Sequence, residues 1–154
     1  MEMIRTVPSV TMKLPEGARI LIVSEDEATN QQLKTAFQGA GLFAETAKSI
    51  TAACHSAKSG RFQALVSTPL LRDGSWRRLV DIAKHYDLGF EVVVMARHFD
   101  LLEWSEALRD GAFDVIDAAS ELPTASETMK RALWAAYLKG AGPGTNTNNP
   151  QKAA

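Results

Sequence analysis

Three consecutive acids, Glu25-Asp26-Glu27, follow the apolar run Ile20-Leu21-Ile22-Val23. Carboxylates so placed could attract a divalent cation, because hard oxygen ligands suit Mg²⁺. The same acids also suit a helix start, where Ser24 or Asp26 can cap and the macrodipole favours negative charge. The helix-start reading is preferred, so no metal is assigned to Glu25 and Asp26. Other reactive types are Ser67 and Thr68 at the end of a later apolar run, and Asp73 in an Asp-Gly pair. A hydroxyl at a strand end usually satisfies nearby backbone groups, and Asp-Gly is a turn signal. His55, His85 and His98 fall on separate elements and make no catalytic pairing. Cys54 lies among alanines and reads as a small core residue.

These residues are positioned by a repeated pattern of short apolar runs and amphipathic segments. Ile20–Val23 is a buried strand. A helix follows to about Gln38, with Leu33, Ala36 and Phe37 at core spacing, until Gly39 or Gly41 stops it. Leu42–Ala47 is a second strand, and Ser49 caps a helix running to Gly60. Phe62–Thr68 holds the third strand, centred on Ala64-Leu65-Val66, and Pro69–Gly74 is a loop. Ser75 is the expected cap of a third helix with Trp76, Leu79, Val80, Ile82 and Ala83 inward.

The stretch Glu91–Ala119 is one βαβ unit. The strand Val92–Met95 passes through a polar turn at Arg97–Asp100 into a helix carrying Leu101, Leu102, Ala107 and Leu108. Gly111 ends that helix, and Phe113–Ile116 forms the fifth strand. A last helix over Thr124–Lys139 carries Met129, Ala132, Leu133, Ala136 and Tyr137. Strands separated by helices require a parallel sheet covered on both faces. The expected fold class is α/β, a (βα)5 doubly wound parallel five-stranded sheet of flavodoxin-like strand order 2-1-3-4-5. In such sheets sites lie beyond the carboxyl ends of the strands. The loops to search are Ser24–Glu27, Thr68–Gly74, Ala96–Asp100 and Asp117–Glu121.

The chain has 154 residues, formal net charge -1 and one cysteine. That length suits one domain, and the charge gives no reason to expect nucleic acid or a membrane surface as partner. No internal disulfide or zinc motif is available. No apolar run approaches a bilayer span, and residues 1–17 lack the apolar core of a signal peptide. A cytoplasmic protein is expected. Residues 1–17, broken by Pro8 and Pro15, read as an irregular extension ordered only if something docks it. The domain proper is expected over 18–139. The tail over 140–154, rich in Gly, Pro and Asn, is expected to be disordered.

Over about residues 18–139 the chain resembles a response-regulator receiver (CheY-like) domain. The matching phrases are ILIVSEDEATNQQLKTAFQGAGL, DGSW, VVVMARHFD and ALRDGAFDVI. The resemblance implies phosphoryl transfer from a histidine kinase to an aspartate at the end of strand three. It also implies an acid pair holding Mg²⁺, a Thr or Ser after strand four and a Lys after strand five. Here the acid pair falls at Ser24 and Glu25, with Asp26 adjacent, and the acceptor falls at Thr68 or Ser67. The hydroxyl falls at Ala96, the lysine at Ala118, and the family's switching aromatic at Val115. Loss of acceptor, hydroxyl and lysine together marks a degenerate, or pseudo-receiver, variant with neither catalysis nor Mg²⁺ expected.

The family's usual partner surface is formed by helix four, strand five and helix five. Trp76, Trp104 and Trp134 all sit on predicted helices near apolar faces, where packing is the first expectation. Trp104 and Trp134 also fall on that surface, together with Val115. With the chain closing soon after the fifth helix, no appended DNA-binding or catalytic domain is expected. The expected output is contact with another signalling protein, or self-association through that face. Two alternatives are a phosphoaccepting receiver using a displaced residue such as Asp73, and a flavodoxin-like cofactor carrier. The second is disfavoured because SEDEATN puts acids where a cofactor phosphate would sit.

Overall fold

A computed structural model describes Leu14, residues 17–119 and residues 124–140. The expected irregular extension and disordered tail fall on residues outside that range, apart from Leu14, Gly17 and Gly140. The elements in chain order are β1 (Arg19–Val23), α1 (Glu27–Gly39), β2 (Phe43–Ala47), α2 (Ile50–Ala57), β3 (Ala64–Ser67), β4 (Leu70–Leu71) and β5 (Gly74–Ser75). They continue as α3 (Arg77–His85), β6 (Glu91–Ala96), α4 (Leu101–Arg109), β7 (Asp114–Asp117) and α5 (Ala125–Leu138). Five strands form a parallel sheet in the order β2-β1-β3-β6-β7. With the small β4–β5 hairpin set aside, this is the expected 2-1-3-4-5 order.

The central strands are apolar along their length because both faces are covered. Alternate side chains divide between two cores. Leu21, Val23, Leu65, Val92 and Val94 pack with Ala53, Cys54, Trp76 and Leu79 on one face. Ile20, Ile22, Val66, Val93 and Met95 pack with Leu33, Phe37, Met129 and Leu133 on the other. Cys54 is buried, as its alanine-rich surroundings suggest, and desolvation pushes its thiol pKa up.

Local chemistry sets the helix starts. Asp26 caps α1 through the Thr29 amide, and Ser49 caps α2 through the Ala52 amide at 3.0 Å. Asp100 and Glu103 form a reciprocal capping box at α4, satisfying two amides that the helix leaves free. At the other end of that helix, Gly111 has φ +111°, and a Cβ there would lie 2.7 Å from Cγ1 of Val80. Only glycine lets the chain turn that closely against α3.

Two expectations need correction, and one further feature was not foreseen. The Pro69–Gly74 stretch is not a plain loop: Leu70–Leu71 pairs antiparallel with Gly74–Ser75. Ser75 is consequently in a strand, and Trp76, buried and without a side-chain cap bond, stands at the N-cap of α3. The Ser75 hydroxyl still accepts from the Arg77 amide at 3.1 Å. Finally, α4 buries only Ala107, while Leu101 is 78% and Leu102 65% exposed. The helix packs on the edge strand β7, which leaves Leu101 and Leu102 of its first turn facing outward.

Candidate functional site

The strand ends that could build a site are laced together by backbone hydrogen bonds. Ser24 donates its N–H to Ala47 O at 3.1 Å, Thr68 donates to Val23 O at 3.1 Å, and Ala118 donates to Ala96 O at 2.8 Å. Val23 pairs with Ser67 across β1 and β3, so Thr68 is the first residue beyond the paired strand, abreast of Ser24. Ser67 is buried, and its hydroxyl donates to Thr68 O at 2.7 Å. Its proton is thereby committed to the backbone, whereas Thr68 is partly exposed at the mouth. Ala96 and Ala118 are also partly exposed and offer the mouth only methyl groups.

Each acid beside β1 already has an intramolecular partner. Glu25 Oε2 accepts from the Arg72 amide at 2.9 Å and has the Arg72 guanidinium at 3.9 Å. Asp26 is held by the hydroxyl and amide of Thr29, which lower its pKa, with a smaller contribution from nearby Arg97. Glu27 meets Lys48 at 2.7 Å, and that ammonium lowers its pKa. Ser24 is buried, its hydroxyl accepting from the Asp26 amide at 3.1 Å. Behind it, buried Asn30 donates Nδ2 to Ser24 O at 3.0 Å, while Asn30 Oδ1 meets no partner among the described residues.

This donor set does not fit Mg²⁺. The ion needs near-octahedral oxygen coordination, but β3 offers a hydroxyl and position 24 a serine. Of the carboxylates that follow Ser24, Glu25 faces Arg72 and Asp26 is held by Thr29. Among the described residues no cluster of three His, Cys, Asp or Glu side chains could hold a metal.

Asp73 does not join this group. Its carboxylate accepts from the Ile50 and Thr51 amides at 2.9 and 2.8 Å. Those amides are the free donors at the start of α2, and their bonds lower the Asp73 pKa to about 2, Thr51 contributing most. The Arg72-Asp73 turn is therefore pinned on one side to Glu25 and on the other to α2.

At the edge of the sheet, α4, β7 and α5 enclose a groove of about 520 Å³. Leu101 and Trp104 line it from α4, Asp114 and Val115 from β7, and Glu127 and Arg131 from α5. Of the three candidate partner residues, Trp104 is 39% exposed. Val115 is buried, so it forms floor rather than a projecting contact, because β7 turns it inward against Val94. Trp134 is half-buried, sits edge-on to Tyr137 at 5.4 Å and does not line the groove.

Sequence reasoning passed over Arg72, Asn30, Asp114, Glu127 and Arg131. Arg72 acts partly through its amide, which no residue type advertises. Asn30 acts on a carbonyl six residues back. The Glu127–Arg131 spacing of one helical turn was a readable signal of a shared face. Arg131 also reaches Asp114 at 3.5 Å.

No family model and no curated relative matches the chain. Solved structures do resemble it. The signal receiver domain of a Vibrio parahaemolyticus protein is 16% identical over 82% of this chain and 95% of that one, with TM-score 0.72. A CheY-like response regulator receiver domain protein from Methanospirillum hungatei is 21% identical over 80% and 98%, with TM-score 0.68. The beryllofluoride-activated NtrC4 receiver domain, solved as a dimer, is 22% identical over 77% and 98%, with TM-score 0.69. At such identities the likeness establishes the fold, which is that of response-regulator receivers.

Proposed function

We propose that this chain is a receiver-like signalling module, a pseudo-receiver that works by protein–protein contact without aspartyl phosphorylation or other catalysis. One observation carries the reading: Thr68 stands beyond β3, abreast of Ser24, and Glu25, the first acid after β1, is engaged by Arg72. A threonine hydroxyl in place of a carboxylate cannot form an acyl phosphate. Ala96 and Ala118 supply neither hydroxyl nor ammonium to hold phosphoryl oxygens, groups whose loss typically costs orders of magnitude in rate.

The alternative acceptor, Asp73, is less well supported. Its two oxygens accept the two amides opening α2, which hold it as an ionised cap. The partner surface of the proposed module is the α4–β7–α5 face, either for another signalling protein in the cytoplasm or for a second copy.

The test is intact-mass analysis after incubation with acetyl phosphate and Mg²⁺. The reading predicts unmodified protein. A stoichiometric, base-labile phosphoryl adduct would overturn it, and loss of that adduct in Asp73→Asn would give the role to the displaced acid.

A further inference from the structure

We propose that the α4–β7–α5 groove receives a basic amphipathic segment of a different protein, with an apolar anchor seated against Trp104. This deepens the contact-module reading above and rests on it. Asp100, Asp114, Asp117 and Glu127 all line the groove, and Arg131 is the single cation among its described lining side chains. Arg131 lies against Asp114 at 3.5 Å and Lys130 against Glu127 at 3.5 Å, so two of the four acids are partly offset while the lining stays acid-rich. The lining side chains carry a net negative charge, and a concave surface with an excess of one sign raises the local concentration of the opposite sign.

The apolar element is equally specific in place. Leu101 and Trp104 line the α4 side of the same groove, one helical turn apart, and both are exposed. An aromatic and a leucine beside carboxylates suit a partner helix that alternates apolar and basic positions, as in recognition of a helix in a groove. A second copy of this chain fits less well. A two-fold dimer centred on the groove would face its carboxylates with the same carboxylates.

The probe is a fluorescein-labelled amphipathic helix of leucine and lysine, about three turns long, with a leucine–glutamate counterpart as control. Anisotropy with the full chain is expected to show saturable binding of the basic peptide, weakened by salt, and none of the acidic one. Glu127→Arg is expected to weaken binding roughly fivefold or more, and Trp104→Ala roughly tenfold. Circular dichroism on both variants excludes unfolding as the cause.

Absence of binding, equal binding of both peptides, or binding unchanged in both folded variants would overturn the proposal. So would a dimer in light scattering that Glu127→Arg dissociates, since a second copy would then occupy the groove. Phosphoryl labelling, by contrast, would sink the reading of the emptied pocket and leave the peptide result standing.

Discussion

The carboxylate of Glu25 lies against Arg72, accepting its amide at 2.9 Å with the guanidinium at 3.9 Å. The contact ties the loop after β1 to the hairpin after β3. Both side chains reach solvent, Arg72 almost fully and Glu25 by 40%, so the ion pair itself contributes less than about 1 kcal/mol. Its consequence is local. Glu25→Ala is expected to leave global stability nearly unchanged while the Arg72 amide exchanges roughly fivefold faster in hydrogen-exchange NMR. Unchanged exchange would show that the hairpin does not depend on Glu25.

Asp73 holds the other side of that hairpin, and its role is sensitive to pH. Its folded pKa of about 2 lies below its ordinary value of 3.8. The stability it confers is therefore complete above the ordinary value and is lost as pH falls from about 4 to about 2. Urea unfolding across that window should show a shallower fall for Asp73→Asn than for the parent. At neutral pH, Asp73→Ala should lower the urea midpoint without changing the slope.

The close approach of Gly111 to Val80 predicts a coupled pair. Gly111→Ala introduces both an unfavourable backbone angle and a Cβ 2.7 Å from Cγ1 of Val80. The expected loss is about 2 kcal/mol by chemical denaturation. Adding Val80→Ala opens that space, so the double variant should recover on the order of 1 kcal/mol relative to additivity. Strict additivity would mean that the backbone angle alone sets the cost.

Cys54 should behave as core. It is buried, and desolvation raises its thiol pKa, so the native protein holds little thiolate at neutral pH. Labelling by a soluble disulfide reagent should be slow in buffer and become complete in unfolding concentrations of urea. Rapid labelling in buffer would contradict the packing of α2 against the sheet.

The fold was legible because the apolar runs Ile20–Val23, Ala64–Val66 and Val92–Met95 lie inside a two-faced sheet and need no polar alternation. The N-caps Asp26 and Ser49 were legible for a local reason: each bonds an amide three residues ahead. The β4–β5 hairpin was not, since strands of two residues have no period to read. Nor was the cap that Asp73 provides to α2, whose partners lie 22 and 23 residues away. Whether Ser67 or Thr68 stood beyond the paired strand depended on register, which residue types alone do not show. The pairing of Val23 with Ser67, and the Thr68 amide on Val23 O, place Thr68 there. The exposure of Leu101 and Leu102 was hidden because an edge helix and a core helix can carry the same residues.

The central claim, an emptied phosphoryl pocket within a receiver fold, is tested most directly by amide NMR with beryllofluoride and Mg²⁺. The account predicts unchanged resonances for Ser24, Glu25, Thr68, Ala96 and Ala118 at saturating reagent. Saturable shifts at those residues, spreading to Val115 and the α4–β7–α5 groove, would contradict it.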